Sequence, residues 1–135
     1  NPFNLFVAEA ENAKLVSNFP EQIHPVPHGA VLSLSNSALE ERWFKAGRQE
    51  SALMTWLGGN ADPAALLEPL ADEQRDPAAG EAPFSSVFIH GETYGTRCSS
   101  VIAVDAAGRG VFIERSFDSL GAETGTVRLD FDWNT

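Results

Sequence analysis

A layered α+β fold is the class that this 135-residue chain predicts, and three observations predict it. The chain opens on apolar strand-like runs, passes through two segments with helical spacing, and closes on a series of alternating strands joined by short turns. Hydrophobic residues make up 43% of the chain and aromatic residues 10%. A compact chain of this length buries roughly two-thirds of its unfolded surface, enough for one core, so residues 1–135 are expected to form a single domain or part of a larger one.

Each element has its own signal. Phe3 to Ala10 is apolar on both alternating faces, as expected of a strand covered on two sides, and Lys14 to Ser17 is the expected return strand. Pro25 and Pro27 cannot donate ladder hydrogen bonds, so Ile23 to Gly29 is expected to be an extended loop leading to Ala30-Val31-Leu32-Ser33-Leu34. Ser37 with Glu40 three residues later matches a capping box and would start a helix directly after Asn36. Ala52, Leu53, Trp56 and Leu57 keep helical spacing until Gly58-Gly59 ends the run. Asp62 as N-cap and Pro63 at the first helical position then open a second helix carrying Leu66, Leu67 and Leu70. Residues 71–83 are acidic, rich in Ala, Pro and Gly, and without period, which predicts a solvated loop. Four strands are expected after it: Ser85 to His90, Thr96 to Val104, Arg109 to Phe117 and Thr126 to Trp133. In the last, Val127, Leu129, Phe131 and Trp133 alternate with Arg128, Asp130 and Asp132, the pattern of a strand with one wet face near a sheet edge.

Charge and composition exclude several roles. Nineteen acidic against nine basic residues give a formal charge of -10, which disfavours attraction to nucleic-acid phosphates and anionic lipid. No apolar run approaches the roughly 18 residues of a membrane-spanning helix. A single cysteine, Cys98, cannot form an internal disulfide or a multi-thiolate zinc site, which fits a reducing, cytoplasmic setting. His24 and His28 stand four apart, but Pro25 and Pro27 break any helix that would bring both rings to one face, so no metal site is expected.

The motifs point to a family. Tyr94-Gly95-Thr96-Arg97-Cys98-Ser99-Ser100 leads through a turn at Asp105 and Gly108 into Phe112-Ile113-Glu114-Arg115-Ser116-Phe117. This pairing resembles the C-terminal signature of the NRDE proteins, the transport-and-Golgi-organisation family. Asn1-Pro2-Phe3-Asn4-Leu5 is similar to that family's N-P-F-N-L strand, and Leu34-Ser35-Asn36-Ser37 with Trp43 and Lys45 to its L-S-N-S…P-W-P-K segment, although Arg42 and Phe44 replace the two prolines. The resemblance implies an αββα sandwich similar to the N-terminal-nucleophile hydrolases, with two antiparallel sheets stacked between helices. It also implies an amide or thioester substrate, and a partner in the N-terminal half of the family's architecture. The alternative is a non-catalytic domain for binding or trafficking a hydrophobic metabolite, haem among them.

Hydrolases of that fold attack with the side chain of an N-terminal Cys, Ser or Thr. The carboxamide of Asn1 is no such nucleophile. Asn36 is the first candidate catalytic residue: its setting resembles the T-N motif of bile-salt and penicillin amidases, whose Asn donates to the oxyanion. Read from the residues alone, it equally closes the turn before a helix. Arg97 is the second, its guanidinium either meeting a carboxylate in the site or pairing at the surface with the Asp118 region. Small neighbours on its face, Ser99, Val101 and Ala103, are expected to leave room above the sheet. Trp43 and Tyr94 are candidates to line an apolar substrate pocket, with core packing as the competing role. Glu114 and Arg115 point to opposite faces and are expected to pair across strands, and Cys98 is expected to be a small buried hydrophobe.

Overall fold

The computed structural model describes residues 3–9, 12–35, 43–59, 62–78, 85–91 and 93–133. They form two three-stranded antiparallel sheets and two short helices. The first sheet is a meander of β1 (Asn4–Ala8), β2 (Ala13–Asn18) and β3 (Glu21–Val26), with Leu5 opposite Val16 and Val16 opposite Ile23. The second is a meander of β4 (Cys98–Val104), β5 (Arg109–Phe117) and β6 (Glu123–Asp132), with Val101 opposite Ile113 and Ile113 opposite Arg128.

Local chemistry explains the elements that were expected. Helix α1 (Phe44–Leu57) stops where Gly58 and Gly59 turn the chain. The Asp62 carboxylate accepts from the Ala64 N–H at 2.9 Å and Pro63 begins a 3-10 turn, Pro63–Leu66, that runs into α2 (Leu67–Leu70). Between β4 and β5, Asp105 Oδ1 accepts from the N–H groups of Ala107 at 2.8 Å and Arg109 at 3.0 Å. Asp118 does the same between β5 and β6, accepting from Leu120 and Ala122. Gly121, with φ +78°, completes that second turn, and a Cβ there would lie 1.7 Å from His90 Nε2, so only glycine fits.

The core lies on one face of the second sheet. Leu67 packs on Val101, Val111 and Ile113, with Ala64, Leu66, Leu70 and Ala103 around them. Leu67 and Ile113 are each only 2% exposed, and burying a side chain of this kind contributes about 1.5–3 kcal/mol. The two residues that line up with Val111 and Ile113 on β6, Asp130 and Arg128, are exposed, so the helical layer covers β4 and β5 but not β6.

Several expectations change. The β1 hairpin is not covered on both faces: Phe3, Leu5, Phe6 and Val7 are each about half exposed. Pro25 is no loop residue but pairs opposite Lys14 in β3, which tolerates it because β3 is an edge strand and needs hydrogen bonds on one side only. Residues 30–35 are not a strand. The capping box at Ser37 and Glu40 lies outside the described residues, and α1 begins later, after Trp43, without a side-chain cap. Ser85, Ser86 and Phe88 are buried, but residues 85–90 are not a strand; Phe88 N–H is taken by Asp72 O and Ile89 N–H by Thr96 Oγ1, so no neighbouring strand is needed to satisfy these two. Within the expected 71–83 loop, Asp72 is consequently an anchor rather than a solvated residue. β6 has two exposed faces, not one. Cys98 is exposed, because it points to the face of β4 away from Leu67.

Candidate functional site

Helix α1 separates two clefts. Gln49 Nε2 donates to Pro69 O at 2.8 Å, tying α1 to α2, and both residues line both clefts. The first cleft, of about 820 Å³, lies between Trp43, Phe44, Gly47 and Arg48 of one wall and Glu68 and Asp72 of the other. Its wall is closed by an ion pair between Arg48 Nε and Asp72. The Arg48 guanidinium also stands 5.6 Å from the centre of the Phe44 ring. Burial raises the Asp72 pKa, but the Arg48 hydrogen bond, the Gln74 N–H and the Arg48 charge outweigh it, so the net shift is downward.

The second cleft, of about 730 Å³, lies between residues 32–35, α1, α2 and β4. Leu32, Leu34, Leu53, Leu66, Leu70 and Val101 give it apolar walls. Polar groups at its margins are held in place. Ser33 Oγ donates to Glu50 Oε1 at 2.8 Å, Asn4 Nδ2 donates to Ser35 O at 2.8 Å, and Ser100 Oγ donates to Glu114 Oε2 at 2.8 Å. Lys45 also lines this cleft, its pKa lowered by burial and its ammonium 5.0 Å from the centre of the Trp43 ring. The chemistry available here is shelter for an apolar group beside, among the described residues, the cation of Lys45 and the carboxylate of Glu50. None of the three histidines lines the cleft, so its serine hydroxyls have no imidazole base beside them.

The candidate residues do not converge on one point. Trp43 lines the first cleft. Arg97 and Tyr94 line neither; Tyr94 is 59% exposed, and among the described residues Arg97 Nη1 donates to Thr96 O at 3.4 Å. The space expected above Ser99, Val101 and Ala103 is taken by α2, whose Leu67 covers Val101. The Asp118 carboxylate, the surface partner considered for Arg97, is engaged by the turn it closes. Asn36 lies outside the described residues; the residue before it in sequence, Ser35, lines the second cleft. Of the cross-strand salt bridges expected of Glu114 and Arg115, Arg115 forms one, with Glu123 at 3.4 Å, while Glu114 accepts a hydrogen bond from the Ser100 hydroxyl. Among the described residues no group of three or more His, Cys, Asp or Glu side chains could hold a metal ion. No helix of the described residues is long and apolar enough to cross a membrane.

Sequence reasoning missed Arg48, Asp72, Gln49 and Glu50. Arg48 and Asp72 are 24 residues apart and belong to no motif, so only the packing of α1 against α2 reveals them.

These features define a mixed α+β protein with two small antiparallel sheets and a helix-lined apolar cleft. The chain belongs to the Transport and Golgi organisation 2 family (TANGO2), whose profile matches residues 1–119. No curated protein matches the chain.

Proposed function

We propose that this TANGO2-family chain binds a hydrophobic small molecule in the cleft between residues 32–35, α1 and β4. The observation that supports the reading is the cleft's make-up: about 730 Å³ with aliphatic walls from Leu32, Leu34, Leu53, Leu66 and Leu70 and polar groups at its margins, a composition suited to small-molecule sites. Lys45 at that margin favours a ligand that ends in a carboxylate or carbonyl. Haem fits less well than an acyl or aromatic molecule, because no His, Cys, Met or Tyr lines the cleft to ligate iron. The single cysteine supports a cytoplasmic setting.

Hydrolysis of an amide or thioester on an N-terminal-nucleophile-hydrolase-like frame is the second reading. Two observations favour it: Ser35, next to Asn36 in sequence, lines the same cleft, and the outer face of the second sheet is apolar. Ile102, Val104, Val127 and Leu129 are all more than 40% exposed there, with Phe112 and Phe131 between them. A second sheet supplied by the N-terminal half of the family's architecture would cover that face and complete an αββα sandwich.

Titration with a dansyl-labelled undecanoate tests the binding reading. Saturable one-to-one binding is expected, weakened about tenfold or more by Leu53→Asp, which places a charge in the apolar wall. Absence of saturable binding, or equal affinity in a Leu53→Asp chain with unchanged circular dichroism, overturns it. Burst release from an activated thioester, persisting in Cys98→Ala, would favour the hydrolytic reading instead.

A further inference from the structure

We propose that β6 pairs antiparallel with β6 of a second copy of this chain, with the twofold axis at Leu129. β6 is the longest strand, ten residues, and hydrogen-bonds to β5 on one side only. Among the described residues no strand pairs with its other side, a row of backbone N–H and C=O groups suited to pairing. Natural sheets blunt such edges with Pro, a bulge or charged side chains, Lys above all, and the charges of β6 protect it only where they meet like charges. The edge strand of the first sheet, β3, carries Pro25. β6 carries neither Pro nor Lys, and its one bulge, at Thr124 between the partners of Ser116 and Phe117, lies at the start of the strand and leaves Gly125 to Asp132 in regular register. Nothing bulky overhangs the edge at Phe131 either: its ring leans inward over Gly110, where a Cβ would come within 2.3 Å of it.

The sequence of β6 is complementary to itself in one register. With Leu129 opposite Leu129, Arg128 of each copy faces Asp130 of the other, giving two opposite-charge pairs on one face. On the other face Val127 meets Phe131 twice, extending the apolar surface across the joint. Moving the axis to Arg128 sets two like cations opposite each other, and moving it to Asp130 sets two like anions opposite each other. Arg128 is already poised among carboxylates, 3.3 Å from Asp62 and 3.5 Å from Asp130 of its own strand. Such a pairing is isologous, each copy presenting the same edge. The overall charge of -10 opposes association at long range, but at 0.15 M salt the screening length is about 8 Å, so the contacting pairs decide the register. β6 lies beyond the residues matched by the family profile, so the pairing is a property of this chain's own C-terminal segment.

Sedimentation velocity on the whole chain at 0.15 M salt, over a rising concentration series, measures it. The unaltered chain is expected to shift from monomer to dimer mass. Arg128→Asp and Asp130→Arg, each set against itself by like charges, are each expected to stay monomeric while keeping their circular dichroism. Their equimolar mixture is expected to recover a heterodimer, because every Asp at 128 then faces an Arg at 130 and every Asp at 130 faces an Arg at 128. A variant that merely misfolds cannot be rescued by mixing. The proposal is overturned if the unaltered chain is monomeric throughout, its edge or face serving another segment or partner. It is equally overturned if the single changes leave a dimer intact, or if the mixture associates no better than its components.

Discussion

The two sheets have the same topology, three antiparallel strands in sequence order, yet they are held together differently. The second has a roof: Leu67 of α2 seals Val101, Val111 and Ile113 on one face. The first has none of comparable extent, and Leu15 is the one aliphatic side chain of its three strands that is buried. Among the described residues strand pairing and the burial of little more than Leu15 define the first sheet's register, whereas pairing and a packed apolar layer together define the second's. Topology describes connection; stability follows from which faces are removed from water.

Truncations offer the strongest way to break this contrast. Ile113→Ala, at the centre of the sealed face, is expected to cost about 3–4 kcal/mol, and Leu15→Ala in the first sheet about 2 kcal/mol, since less packing surrounds the smaller void. Equal losses in urea unfolding would erase the distinction. A smaller effect separates the helical layer from both sheets. Asp72→Asn removes the carboxylate that holds Arg48 of α1 and is expected to cost about 1.5 kcal/mol, the low end for a hydrogen bond to a charged group because Arg48 is partly exposed. The Asp72 pKa is lowered in the folded chain, so its contribution is complete above the ordinary carboxylate pKa near about 4. It is lost as pH falls through the lowered folded value. Unfolding curves for the unaltered chain and Asp72→Asn should therefore converge in acid, and a gap that persists at the lowest pH would deny the ion pair its role.

What could be read in advance was local. Asp105, Gly108, Asp62 and Pro63 act within a few residues of themselves, so their turns and caps are written in short segments. The alternation of β4 likewise survives into the structure, with Ser99, Val101 and Ala103 on the covered face, because the strand carries its own period. Other features depend on neighbours that the chain supplies from afar. Pro25 sits in a strand because β3 happens to be an edge, Cys98 is exposed because α2 covers the other face, and Phe88 is buried without being in a strand because Asp72 and Thr96 take the N–H groups of Phe88 and Ile89. The cleft was legible at Asn4, Leu34, Ser35, Lys45 and Ser100, which belong to motifs; Leu53 and Leu66 join them through packing alone.

Native-state hydrogen exchange compares the two sheets most directly, because it reads the opening of each amide within one sample. Amides of the central strand β5, from Val111 to Arg115, are expected to exchange more slowly than those of the central strand β2 of the first sheet by about two orders of magnitude. Equal protection of β2 and β5, or greater protection of β2, would contradict the claim that the Leu67 layer over β4 and β5 is the stable centre of this protein.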